Sequence, residues 1–324
     1  MIHERESVLQ KLSMFFVGCL VVGSPCLADT VALDDALRAT YAACVGIDAK
    51  LSDLKKMAGI NTAITGVGTG VGVGATAVGI VKANKDKELE QVEIELEKLR
   101  ELEEQHRVPT NQTADDANRF MADVESSWNS IVEDIKKKEA ERDKLNQQSK
   151  KLGNWRTGLM VGATATNVAG AIIAGNNGTN GFVEEMIDNC KNAVDTLSRS
   201  VAQAQLSGQD VTEAQQIVAA CREYDTVDIS KIAKRARGAM VSSVVGAATG
   251  ATGTVLSAVA NSDSVRDNNT DDGRQKEKNL NTASNVMAGV TTTASATATV
   301  FNATQISAIK KVVAVAEKCE GILQ

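Results

Sequence analysis

Aromatic rings, proline and histidine are nearly absent from this chain. Of 324 residues, only two are Trp, two Tyr and five Phe, with two Pro and two His. Without large rings, a core has to be assembled from Ala, Val, Gly, Ile and Leu. Two prolines are too few for the turns of a β-sandwich or barrel. A basic excess is missing too: 35 Lys and Arg stand against 41 Asp and Glu, a net charge of −6. That balance argues against a nucleic-acid binder, which needs a cationic face, and no nucleic-acid partner is expected.

What is present starts with residues 1–28, which read as a secretory signal peptide. Arg5 and Lys11 accompany an apolar run from Leu12 to Gly23, and Ser24-Pro25 breaks it. Cys26-Leu-Ala28 puts small residues at the −3 and −1 positions, which predicts cleavage before Asp29. The run is shorter than the ~20 residues of a membrane span. Phe16-Val-Gly-Cys19 is a poor match to a bacterial lipoprotein box. Cleavage leaves four cysteines (Cys44, Cys190, Cys221 and Cys319), one proline, Pro109, and one histidine, His106. With a single histidine, no Ser-His, Cys-His or His-cluster metal constellation is read from the chain, and familiar hydrolase and zinc chemistries are not expected. No catalytic residue, metal ligand or cofactor is assigned, and the expectation is a non-enzyme. An even cysteine count in an exported chain points to disulfides, with three connectivities open.

Four stretches carry no Asp, Glu, Lys or Arg: 58–81, 157–183, 238–262 and 279–309. Each is long enough for a helix of membrane-spanning length at about 1.5 Å per residue. Each also repeats small residues every fourth position, as in a glycine zipper. The expected packing positions are Gly66, Gly70 and Gly74, with a parallel row at Gly68 and Gly72, in the first stretch. They are Gly158, Gly162 and Gly170 in the second, Gly246 and Gly250 in the third, and Ala288 in the fourth. Gly70-Val-Gly-Val-Gly-Ala75 fits a loose dinucleotide fingerprint but has no preceding strand, and is assigned to the zipper.

The chain is internally duplicated. Tyr41-Ala-Ala-Cys44 with Asp48 matches Val218-Ala-Ala-Cys221 with Asp225, and Ala83-Asn-Lys-Asp86 matches Ala260-Asn-Ser-Asp263. Met160-Val-Gly-Ala-Thr164 aligns more loosely with Met287-Ala-Gly-Val-Thr291. Each half reads cysteine helix, small-residue helix, charged connection, small-residue helix, cysteine helix. Reversal at the connection makes an αα-hairpin of each half and selects Cys44–Cys190 and Cys221–Cys319. The predicted fold is all-α: two tandem disulfide-stapled antiparallel helical hairpins, over 29–206 and 207–324, with Gly/Ala-rich helices.

The first connection is a long charged arm, about 82–153. Leu89, Val92, Leu96 and Leu99 are spaced by three and four, as are Val124, Trp128, Ile131 and Ile135 on the return. These are seams of an antiparallel coiled-coil hairpin turning near Pro109. Beyond Ile135 the seam turns polar at Lys138, Arg142 and Gln148. Folding about residue 111 would set Cys44 opposite about position 178, so either the tip lies later or residues 176–181 are non-helical. Asn111, Asn177, Asn268 and Asn302 head glycosylation acceptor triplets that matter only in a eukaryotic secretory host.

Helices without charge over more than six turns need burial on all sides, which lipid or a self-associated bundle would provide. Cations flank the stretches at both ends, so the sequence assigns no orientation. The functional expectation is an exported, membrane-associated or membrane-inserting protein of the periplasm or cell envelope. Its arm would contact a protein partner or a second copy of the chain. The alternative is a soluble periplasmic or secreted scaffold that self-associates without insertion.

Overall fold

The computed structural model describes residues 25–105, 117–179, 181–266 and 271–323, with side chains over 32–105, 127–177, 181–262, 264–265 and 272–323. The signal-peptide core, the tip with Pro109 and the acceptor Asn111 and Asn268 lie outside the described residues, as does the Val124 side chain.

The described chain is almost wholly helical, with no strand. Its helices are α1 (Pro25–Cys44), α2 (Ile47–Gln105), α3 (Ala117–Thr179), α4 (Gly181–Leu206), α5 (Thr212–Cys221), α6 (Ser230–Ala260), the single turn α7 (Asp263–Arg266) and α8 (Asp271–Leu323). A 3₁₀ turn over Arg222–Thr226 follows α5. Runs this long are permitted because no proline interrupts them. The duplicated Ala-Ala-Cys words each end a helix, α1 at Cys44 and α5 at Cys221. Gly46, at φ +89°, supplies the left-handed residue at the break between α1 and α2.

The chain divides into two compact units, and each draws segments from both sequence halves. One comprises Met1–Asp48, Glu185–Val227 and Ala314–Gln324. Its interior is conventional. Along α4, Ile187, Cys190, Val194, Leu197, Val201 and Ala204 are buried at alternating steps of three and four, while Glu184, Asp188 and Asp195 face out. Disulfides join Cys44 to Cys190 and Cys221 to Cys319, and all four cysteines are buried. Glu320, next to Cys319, accepts hydrogen bonds from the backbone N–H groups of Gly46 (3.0 Å) and Asp48 (3.1 Å) at the start of α2. It caps that N-terminus from a distant part of the chain.

Burial pushes the Glu320 carboxyl up from its ordinary value, the nearby Asp48 carboxyl adds to the rise, and the two N–H donors oppose it. The native state thus holds this proton more tightly than the unfolded chain. The associated stability is complete below the usual carboxylate range and is lost as pH rises through the elevated value. Glu320→Gln keeps the acceptor oxygen, so it is expected to flatten this dependence and leave the unit as stable as the parent at neutral pH. Glu320→Ala orphans both donors and is expected to cost about 1–2 kcal/mol, read by urea denaturation at several pH values.

The other unit comprises Ala49–Glu184 and Asp228–Val313 and contains the long reaches of α2, α3, α6 and α8. Gly68 of α2 lies against Thr166 of α3 and Ser295 of α8, and Gly170 of α3 against Thr65 of α2 and Ser243 of α6. The Gly68–Thr166 pairing and the Cys44–Cys190 link are both centred on residue 117 rather than 111. Residues 176–179 remain helical.

Candidate functional site

The seam of the second unit alternates steps of three and four on every helix. On α6 the buried positions are Ile232, Ala236, Ala239, Ser243, Gly246, Gly250, Gly253, Ser257 and Ala260. On α2 they include Ala58, Asn61, Thr65, Gly68, Gly72, Ala75, Gly79 and Lys82. A repeat of 3.5 keeps one stripe facing its neighbours, whereas a strict repeat of four rotates away by about 40° per step.

The fourfold rows expected from the sequence are therefore only partly inside. A side chain on Gly170, Gly246 or Gly250 would collide with Thr65, Asn167 or Thr164 respectively. Ala288 is buried beside Met160 and Ala75. Gly162 and Gly74 stand at ordinary contact distance from Val71 (3.4 Å) and Leu159 (3.6 Å). Gly66, Gly70 and Gly158 have nothing within 4 Å of where a Cβ would sit. On α2 it is Gly68 and Gly72, against Thr166 and Thr292, that make the close approach.

Polarity in this unit runs the wrong way for a protein in water. Asn61, Thr65, Asn167, Ser243, Thr291, Ser295 and Asn302 are completely buried. All but Ser243, whose hydroxyl has no partner among the described residues, bond across the bundle. Asn61 Nδ2 donates to Asn302 Oδ1 at 3.0 Å, Asn167 Nδ2 to Ser295 Oγ at 2.8 Å, and Thr299 Oγ1 to Thr65 Oγ1 at 3.1 Å. Thr249 and Thr291 hydroxyls meet at 2.9 Å, and Ser284 Oγ donates to the Gly253 carbonyl. Outside, each of the four helices presents branched hydrocarbon: Val67 is 59% exposed, Ile172 60%, Val255 61% and Val300 62%. Trp155 is the most exposed of these large side chains, so it does not pack in the seam. Outward hydroxyls are bonded to their own helix, Thr69 to Thr65 O, Thr252 to Ala248 O, Thr293 to Gly289 O and Thr297 to Thr293 O.

Three helical stretches are long and apolar enough to cross a membrane by length and composition. Within them lie the charge-free parts of α2, α3 and α6. The stretch on α8 is not among these.

At one end of the charge-free zone two cations sit inside. The Lys82 ammonium pairs with Asp86 (2.7 Å) and Glu277 (3.3 Å), and Ser149 Oγ donates to Asp86. Arg156 is completely buried against Gly79, and its guanidinium has no hydrogen-bond partner among the described residues. Spacing gave no sign of either burial, since each residue adjoins a charge-free stretch and reads as its solvated flank.

Beyond them α2 and α3 pack along each other. Val92, Leu96 and Ile135 form one buried cluster with Leu145, and Leu89, Leu99 and Ile131 lie against it. Leu145 falls past the point where the sequence reads as polar. Lys138 and Arg142 occupy the intervening seam positions half-buried; the Lys138 tip reaches Glu95 at 2.7 Å, and Arg100 bridges to Glu139 at 2.9 Å. Trp128 is half-buried on the same stripe.

In the first unit the Sγ atoms of Cys44, Cys190 and Cys319 lie within 4.8 Å of one another. That spacing would suit a metal, but each sulfur is already consumed in a disulfide and none is a thiolate ligand. Comparison with protein-family models, with curated proteins and with solved structures finds no match.

Proposed function

We propose that the second unit is a membrane-inserted helical bundle of an exported cell-envelope protein that is not an enzyme. The observation that carries the reading is the inversion itself: Asn, Ser and Thr bond to one another inside while Val and Ile face out. A Gly/Ala/Ser interior releases little hydrophobic free energy in water. In hydrocarbon, close backbone approach and interhelical hydrogen bonds take over as the cohesive terms, and polar side chains belong inside. The first unit supports this by contrast, since the same chain buries Ile, Leu and Val there in the ordinary way. The 25 residues 238–262 between Arg237 and Asp263 would span about 37 Å as helix, against about 30 Å of hydrocarbon.

In this reading the sequence halves are tandem hairpins whose small-residue helices pack as a zipper. The arm is an antiparallel coiled coil that projects to engage a protein partner or another copy. The two disulfides fit an oxidising compartment, as the signal peptide implies. A second reading is a soluble scaffold that buries its valines between copies. It draws on a groove of about 530 Å³ between α6 and α8, lined by Val241, Val245, Val286 and Val290.

Outward substitutions separate the two. Val67→Asp and Val300→Asp are each expected to cost about 2.5–3.5 kcal/mol of insertion and to move the chain from the pellet to the supernatant of a carbonate-washed membrane fraction. A parent chain that is itself released by carbonate would overturn the membrane reading.

A further inference from the structure

Resting on the inserted-bundle reading, we infer that one end of the bundle carries a cationic belt that binds the headgroups of anionic phospholipids. The level is set by the Asn61–Asn302 hydrogen bond and by the contact of Gly170 with Asn61 and Ser243. Lys56 lies five residues from Asn61, Arg237 six from Ser243 and Lys310 eight from Asn302, all in the same direction along the bundle. At about 1.5 Å per residue these three, with Lys55 and Lys311, fall in a band about 7–14 Å beyond that layer. They come from three different helices and adjoin the hydrocarbon exterior at Met57, Ile60 and Met240.

Within the described residues of this unit the belt has an excess of positive charge. Over 49–57, 175–184, 228–238 and 305–313 there are nine Lys and Arg against Asp53, Asp228 and Glu184. Asp53 is taken by Lys56 (3.5 Å) and Asp228 by Lys231 (3.2 Å), and Arg235 is tied to the Thr304 carbonyl. Lys55, Lys234, Arg237, Lys310 and Lys311 form no ion pair among the described residues. At the opposite end Lys82 is matched by Asp86 and Glu277 and Lys85 by Glu88, while Arg156 is buried without a partner among the described residues. Long aliphatic stems let ammonium and guanidinium groups at the edge of a hydrocarbon zone reach phosphate oxygens.

The test uses the full chain and its variant Lys55→Gln, Lys56→Gln, Arg237→Gln, Lys310→Gln and Lys311→Gln. Each is floated with vesicles of phosphatidylcholine alone or mixed with phosphatidylglycerol, at low and high salt, before and after a carbonate wash. Each cation near an anionic surface contributes roughly a fivefold gain in partition. The parent is expected to favour the phosphatidylglycerol vesicles by at least roughly 100-fold at low salt, with the preference collapsing at high salt. The variant should lose most of that preference and still resist carbonate. Equal parental binding to both vesicles at low salt, with carbonate resistance, overturns the belt and leaves insertion standing. Parental binding to phosphatidylglycerol vesicles alone that carbonate removes supports the belt and overturns insertion. Absence of parental binding to either overturns both. The parent's own salt response decides the matter if the variant does not fold.

Discussion

Loss of the Cys221–Cys319 bridge, by Cys221→Ser with Cys319→Ser, is expected to destabilise the first unit by about 4–5 kcal/mol. Loss of Cys44–Cys190 should cost as much or slightly more. The loops closed are 98 and 146 residues, long enough that cross-linking removes a large part of the unfolded chain's freedom. This unit depends on them more than most domains would. It is assembled from three separated segments, Met1–Asp48, Glu185–Val227 and Ala314–Gln324, so without bridges its core must gather three remote stretches before any burial rewards the loss of entropy. A typical domain has only about 5–15 kcal/mol in hand, so removing both bridges should leave this unit unfolded at ordinary temperature. Urea denaturation of the two single-bridge variants and the bridge-free chain, followed by protease sensitivity within 185–227, reads this directly. Midpoints within error of the parent would mean that the apolar core alone holds the unit.

The sequence announced the helices because four charge-free stretches and a lack of proline leave few other options. It also carried the cysteine pairing, because duplication places Cys44 and Cys221 at equivalent helix ends and chain reversal supplies the partners. Three features were hidden for physical reasons. Glu320 caps a helix more than 270 residues away, and no local pattern encodes such a contact. Lys82 and Arg156 look like solvated flanks because burial of a charge is decided by neighbours rather than by its own position. Leu145 is separated from Ile135 by two charged seam residues, so the stripe looks interrupted where it continues over Lys138 and Arg142.

The fourth obscured feature, the inward glycine row, leads to the second large effect. A run such as Gly66-Val-Gly-Thr-Gly-Val-Gly-Val-Gly74 offers two interleaved fourfold rows, and composition favours neither. A four-helix seam has to advance by 3.5 residues on average, so it takes Gly68 and Gly72 at a three-four step between Thr65 and Ala75 and leaves Gly66 and Gly70 outside. Leucine at Gly72 would drive its Cβ to 3.3 Å from the Thr292 backbone, and leucine at Gly250 to 3.4 Å from that of Thr164, before the rest of either side chain is placed. Backbone on the far side cannot rotate away, so each substitution should cost about 3 kcal/mol, the upper end of ordinary overpacking. The two sites involve different helix pairs, so the costs should add to about 6 kcal/mol. Gly66→Leu with Gly70→Leu adds the same atoms to the same bundle where nothing lies within 4 Å. That pair should instead be neutral or stabilising by about 1–2 kcal/mol through helix propensity. Unfolding in detergent followed by far-ultraviolet circular dichroism compares the two double variants. Equal loss in both would mean that the outward row is covered by something as close as Thr292.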